Sequence, residues 1–170
     1  EDILNKYNVT AVDYYHMVKE NDRITIQQPY IYGYWASVGE VYKIYQPRNK
    51  KFKFIKVKPW LQGLDQLEFK QPYLIICSSL KDAMCLKQFG YNIEVIAPDS
   101  ENTIIKPYII ENLKNKYKKV VTLFDNDTAG HNAIMKYNEL YDIKGTWLTL
   151  SKDLADAVKE HGFTAVHEEI

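Results

Sequence analysis

Val120-Val121-Thr122-Leu123-Phe124-Asp125-Asn126-Asp127-Thr128-Ala129-Gly130 is the stretch that decides the fold. An uncharged, largely apolar run ends abruptly in two carboxylates one residue apart, followed by a helix start. Strands of a parallel sheet are covered on both faces, so they read as near-continuous Val, Leu, Ile and Phe rather than as alternation. Ligands bind in the crevice outside the carboxyl ends of such strands, and Asp125 and Asp127 fall where this strand stops. Two oxygen donors so close suit a hard divalent cation, Mg2+ or Mn2+, better than zinc. The same residues also have a plain structural reading, with Asp127 capping the next helix and Asp125 opening a turn. The stretch alone leaves both readings open.

Outward from this segment, strand and helix patterns alternate. Tyr73-Leu74-Ile75-Ile76-Cys77 and Ile93-Glu94-Val95-Ile96-Ala97 read as further strands, and residues 146–150 as another. Helices are expected over residues 81–89, ended by Gly90, over 107–117 and 128–141, and over 153–161, closed by Gly162. That order predicts an α/β fold with a right-handed, mostly parallel sheet flanked by helices. The N-terminal part reads differently. Residues 30–35 and 40–45 are aromatic and β-branched runs on either side of a short connection, and residues 52–58 alternate imperfectly, which predicts a small antiparallel β lobe. Residues 2–20 suggest one or two short helices, with Thr10 capping a helix over 11–19.

Net charge is zero, with 22 basic and 22 acidic residues, but the charge is not spread evenly. Lys43, Arg48, Lys50, Lys51, Lys53, Lys56 and Lys58 lie between Val41 and Trp60 with no acidic residue among them. Tyr42, Tyr45, Phe52, Phe54 and Trp60 are interleaved with them. Backbone phosphates attract such cations, and flat rings stack on bases. A strand pair with rings in the core and lysines in water gives the same pattern, so both readings stand. A hydrophobic content of 46% allows a sizeable core, and no run approaches a membrane span. No signal peptide pattern is evident, and the start at Glu1 is expected to be that of a fragment of a longer protein. Cys77 and Cys85 have no metal-ligand spacing and read as buried reduced thiols; the scattered histidines are given no role.

Asp125-Asn126-Asp127-Thr128-Ala129-Gly130 resembles the second motif of the Toprim domain, the catalytic fold of bacterial-type and phage DNA primases and of topoisomerases. Tyr73-Leu74-Ile75-Ile76-Cys77-Ser78-Ser79-Leu80-Lys81-Asp82-Ala83 is similar to the first motif, in which a strand runs into Glu-Gly-x-x-Asp-Ala and a helix. Lys152-Asp153-Leu154-Ala155-Asp156 is similar to the third acidic patch, in its phage Lys-Asp form. Residues 41–47, the lysine cluster and residues 61–67 resemble the basic subdomain that precedes the Toprim fold in phage primases. The resemblance implies a primase core fragment with an N-terminal helical and basic β subdomain over 1–69 and a Toprim domain over 70–170. It implies Mg2+ or Mn2+ held by Asp125, Asp127, Asp153 and Asp156, and phosphate contacts by Lys81 and Lys152, with Asp82 orienting the strand-end loop. Its implied partners are a single-stranded DNA template along the basic lobe, ribonucleoside triphosphates, and a replicative helicase, fused or separate. The implied location is the cytoplasm, that of a bacterial host if phage-encoded, with no membrane.

One departure bears on catalysis. Where the family places a glutamate acting as general acid or base, this chain has Ser78, and Ser79 replaces the glycine. A serine hydroxyl is no general base near neutral pH and brings no charge to a cation. Either Glu101, in the segment after the strand at 93–97, fills that space as a catalytic and metal-binding carboxylate, or Glu101 is a solvated loop residue. The functional expectation is metal-dependent synthesis of short RNA primers. A Toprim nuclease and a catalytically degenerate nucleic-acid-binding module are the alternatives.

Overall fold

Runs of Val, Ile, Thr and aromatic residues fit a pleated surface better than a helix, and they shape the first part of the chain. The computed structural model describes residues 2–19, 22–100 and 102–170, and the chain divides into two compact units, Glu1–Trp60 and Leu61–Ile170.

In the first unit, α1 (Ile3–Lys6) is one turn capped by Asp2. Among the described residues six strands follow: β1 (Val9–Val12), β2 (Tyr15–Lys19), β3 (Asp22–Ile26), β4 (Ile31–Trp35), β5 (Val41–Tyr45) and β6 (Phe54–Lys56). Their order is β1-β4-β5-β6 in one antiparallel sheet, with β2 and β3 paired as a separate hairpin. The helix expected over 11–19 is therefore not formed. Tyr15 and Met17 are half-buried while His16 and Val18 are exposed, a period of two that nine residues read for helix spacing conceal. The expected hairpin of 30–35 with 40–45 forms, with Tyr32 opposite Tyr45. Ile26, Ile31 and Ile44 make the small core of this unit.

The second unit begins with a single 3-10 turn at Leu64–Gln66. It continues through β7 (Tyr73–Cys77), α2 (Leu80–Gln88), β8 (Ile93–Ile96), α3 (Pro107–Lys116), β9 (Lys119–Leu123), α4 (Thr128–Tyr141), β10 (Gly145–Thr146) and α5 (Leu154–Glu169). All strands are parallel, in the order β10-β9-β7-β8. Leu74, Ile76, Ile96, Phe124 and Tyr137 are almost fully buried in its core, each such side chain contributing about 1.5–3 kcal/mol relative to exposure. The last strand is shorter than the run 146–150 suggested. Among the described residues its strand partner is β9, which ends at Leu123 opposite Thr146, and the Thr149 and Leu150 N–H groups beyond it donate to the Glu169 carboxylate instead of to a strand. Gly162, expected as a helix end, does interrupt the helix with non-helical φ 81° and ψ 166°, and a second helical stretch that the sequence reading did not expect continues α5 to Glu169. Cys77 and Cys85 are buried, free thiols.

Two glycines are fixed by close approach. A Cβ on Gly145 would sit 1.8 Å from Thr122 Oγ1, and one on Gly130 would sit 2.1 Å from the Asp125 carbonyl oxygen. Gly130 thus lets the first turn of α4 press against the backbone of the acidic loop. Among the described residues, no helix is long and apolar enough to cross a membrane.

Candidate active site

Because β7 and β9 pair in parallel with Cys77 opposite Leu123, the loops that follow them leave the sheet side by side. The Ser78 hydroxyl accepts the Asp125 backbone N–H at 2.9 Å. Ser79 caps α2, accepting the Asp82 N–H at 3.3 Å and donating its own hydroxyl to Asp82 Oδ2 at 2.5 Å. Asp82 Oδ1 in turn accepts the Ala155 N–H at 3.2 Å, which brings the start of α5 to the same edge. The circle closes where Asn126 N–H donates to the Lys152 carbonyl at 2.7 Å. Three segments separated widely in sequence are thereby tied at the carboxyl end of the sheet, the position at which parallel α/β folds bind ligands.

The carboxylates in this ring are each held in a specific way. Asp127 caps α4, its Oδ1 accepting the Gly130 N–H at 2.9 Å, while Oδ2 pairs with Lys152 Nζ at 2.9 Å. These contacts, the Gly130 N–H first and Lys152 second, hold its carboxyl below the usual range. Asp153 repeats the arrangement at α5: Oδ1 accepts the Asp156 N–H at 2.7 Å and Oδ2 lies 3.4 Å from Lys81 Nζ. Asp82 is only 4% exposed. Burial, with Asp153 and Asp125 adding to it, pushes its pKa up to about 6 against the opposing pull of Ser79 and Lys81. Asp156 sits half-buried in the first turn of α5, where a carboxylate is favoured by the helix dipole. Ser78, Asp82, Asp125 and Lys152 line one narrow cavity.

The structure thus gathers Asp125, Asp127, Asp153, Asp82, Lys81 and Lys152 into one place. Glu101 lies outside the described residues. The end of β8 is one strand from Ser78, with Cys77 Sγ 3.5 Å from the Ile96 carbonyl oxygen. Hard carboxylate oxygens are the right chemistry for Mg2+ or Mn2+. Even so, among the described residues no three His, Cys, Asp or Glu side chains are grouped so as to hold a metal. The outer oxygens of Asp127 and Asp153 face ammonium groups instead, so the arrangement as it stands does not fit a bound cation.

Ser78 is the residue whose part sequence reading missed. Its hydroxyl ties the strand end of β7 to the acidic loop, a contact across 47 positions for which the sequence carries no local signal.

In the first unit, Arg48, Lys50, Lys51, Lys53 and Lys56 are exposed. Lys43 is 9% exposed, with its Nζ 4.9 Å from the Phe54 ring centre. Lys58 pairs with Glu40 and lies over Trp60. Arg48 stacks over Tyr30 at 3.8 Å and Lys51 over Phe52 at 5.2 Å. Tyr42 is buried against Trp60, whereas Phe54, 40% exposed, stacks on Tyr45 at the edge of the sheet.

The Toprim-like family matches residues 75–158. Solved structures share the fold over nearly the whole chain. The primase fragment of the bacteriophage T7 primase-helicase is 14% identical, with a TM-score of 0.63, covering 99% of this chain and 69% of that one. The Aquifex aeolicus primase, comprising zinc-binding and RNA polymerase domains, is 18% identical, with a TM-score of 0.60, covering 92% and 43%. The RNA polymerase domain of the Mycobacterium tuberculosis primase, solved with double-stranded DNA, is 14% identical, with a TM-score of 0.60, covering 91% and 56%. The chain therefore spans less than half of the Aquifex protein. No curated protein matches this sequence.

Proposed function

We propose that this chain, whose residues 75–158 are a Toprim-like domain, is the catalytic core of a primase-type nucleotidyltransferase that makes short RNA on a single-stranded DNA template. The observation that carries this reading is the convergence of three acidic segments and two lysines at one sheet edge, in a fold shared with primase fragments. Asp125, Asp127, Asp153 and Asp156 form the acidic centre, whose carboxylate oxygens are the donors that Mg2+ or Mn2+ would take, although those of Asp127 and Asp153 are paired with lysines in this structure. A cation held there would supply charge neutralisation to a phosphoryl group. Lys81 and Lys152 take the phosphates of the ribonucleoside triphosphate. Gly130 and the Ser78 hydroxyl keep the Asp125 loop in place, and Asp82 fixes the start of α5. Arg48, Lys50, Lys51, Lys53 and Lys56 hold the template backbone. In a longer protein the core works with a replicative helicase in the cytoplasm.

Glu101 is proposed as the carboxylate that stands in for the one missing at Ser78. Replacing it by Gln tests this directly, because unchanged turnover removes the idea. The reading as a whole is tested by following labelled ribonucleotides and a labelled single-stranded template together with Mn2+. Metal-dependent short RNA that Asp125→Asn/Asp127→Asn abolishes is the expected result. Template shortening instead would make the chain a Toprim nuclease. A second reading, a nucleic-acid-binding module without turnover, is favoured by Ser78 itself, whose hydroxyl is occupied with the Asp125 N–H. It predicts neither product, and template affinity that the double substitution does not change.

A further inference from the structure

β10 ends beside the acidic loop, and the residue after it is an aromatic ring that takes no part in the bonds of the acidic edge. Thr146 lies opposite Leu123, and its carbonyl accepts the Phe124 N–H at 3.2 Å. Trp147 therefore leaves the sheet level with Phe124, one residue before Asp125. Its indole rests on the His131 ring, with centres 4.2 Å apart and planes tilted by 40°. His131 Nε2 lies 3.0 Å from Asn126 Oδ1, so the support under the indole is anchored to the residue between Asp125 and Asp127. Asn126 is itself tied by its N–H to the Lys152 carbonyl. Trp147 remains 40% exposed on this support. A single exposed ring is ordinary on a protein surface, so what borders it decides its meaning.

Two cavities meet at this ring. The narrow one lined by Ser78, Asp82, Asp125 and Lys152 also has Leu123 and Leu148 in its wall. The same two leucines line a second cavity of about 320 Å3, together with Val121, Thr146 and Trp147. That volume is at the lower end of small-molecule sites, and the lining is largely apolar, as in such sites. A ligand with phosphates at the acidic edge and a flat ring beyond them would span both cavities.

We propose that Trp147, backed by His131, is a stacking platform for an unpaired nucleobase seated in the cavity next to the acidic edge. The proposal rests on the function proposed above and adds to it the place of the base. An indole offers a large flat face with little conformational freedom to lose, and stacking accepts every base because each has a π face. The platform thus holds a base without reading which one it is. It separates ligands that carry a base from those that carry phosphates alone. An incoming nucleotide and a nucleic-acid strand are the two sources of such a base, and they share this chemistry.

The test is a set of calorimetric titrations on the whole chain at one Mg2+ concentration. The ligands are ATP, inorganic triphosphate, a single-stranded oligodeoxynucleotide and an abasic strand of equal length. Trp147→Leu keeps apolar bulk without a π face, and Trp147→Phe keeps a smaller ring, so the comparison survives if one of the two folds poorly. The expected result for Trp147→Leu is a loss of roughly tenfold in ATP affinity with triphosphate within about twofold of wild type, while Trp147→Phe stays within about threefold for both. A loss on the oligonucleotide that spares the abasic strand and ATP also supports the platform, and assigns the base to the strand instead of the nucleotide. Equal losses for base-bearing and base-free ligands, or no loss for any, overturn the platform and leave Trp147 as a cover for the end of β9, while the proposed function stands. Failure of the wild type to bind any of the four removes the proposed function itself, and the platform falls with it.

Discussion

The sheet edge of the second unit and the cationic face of the first treat charge in opposite ways. At the sheet edge Asp82, Asp127 and Asp153 are each fixed by at least two bonds: Asp127 and Asp153 by the N–H groups of their own helix caps and a lysine from another segment, Asp82 by Ser79 and the distant Ala155 N–H. Along residues 48–56, by contrast, Arg48, Lys50, Lys51, Lys53 and Lys56 project into water from a three-residue strand and its connecting loop. The first arrangement fixes the carboxylates relative to the strand ends and helix starts that carry them. The second supplies attraction without fixed geometry and is cheap to alter. Chemistry that must place a reacting phosphorus needs the former, whereas holding a flexible polyanion needs only the latter.

The largest effect should come from crowding the acidic loop. Gly130→Ala puts a methyl group onto the Asp125 carbonyl, and with backbone on both sides there is no flexible side chain to yield. A loss of about 3 kcal/mol or more is expected, read by thermal or chemical unfolding. Gly39→Ala is the matched change in the first unit. It has φ +81° but open space around it, so only the left-handed backbone strain is expected, about 1 kcal/mol. Equal losses at the two sites would break the contrast.

Asp82 offers a pH-resolved version. Its folded-state pKa lies near 6, above the ordinary 3.8, so the ionised carboxylate costs the folded state. That cost is absent below about pH 4 and complete above about pH 6. Asp82→Asn keeps an oxygen for the Ala155 N–H and removes the charge. Its stability relative to wild type should therefore rise between pH 4.5 and 7.5, by about 2 kcal/mol. Denaturant unfolding of both proteins at the two pH values checks this, and a gap that stays constant with pH would show that burial is not what raises the group.

How much of this was legible beforehand depends on how local the signal is. β9 and the carboxylates after it could be read because a doubly covered strand announces itself as an unbroken apolar run. The helices over 107–116 and 128–141 carried their own stops and starts in Pro107, Asp127 and the residues that follow Tyr141. Residues 11–19 were misread because two short strands of alternating burial fit a helical spacing as well. The ring of bonds at the site could not be read at all. Ser78 with Asp125, Lys152 with Asp127 and Lys81 with Asp153 are 47, 25 and 72 residues apart in pairs that only the assembled sheet brings together.

The smallest structural effect belongs to the cationic face. Replacing Lys50, Lys51 and Lys53 together by Gln should change stability by no more than about 0.5 kcal/mol. If each contacts a phosphate, it should flatten the dependence of single-strand affinity on salt by about 2 in log–log slope. Fluorescence anisotropy with a labelled oligonucleotide across a salt series measures both affinity and slope. An unchanged slope would return these lysines to an ordinary solvated surface.

The central claim is that chemistry and template holding are divided between these two regions, and steady-state RNA synthesis against template concentration tests it most directly. The Asp125→Asn/Asp127→Asn protein should lose kcat entirely while binding template within about twofold of wild type. The Lys50→Gln/Lys51→Gln/Lys53→Gln protein should keep kcat and raise the KM for template. Loss of template binding in the aspartate variant, or loss of kcat in the lysine variant, would contradict the division.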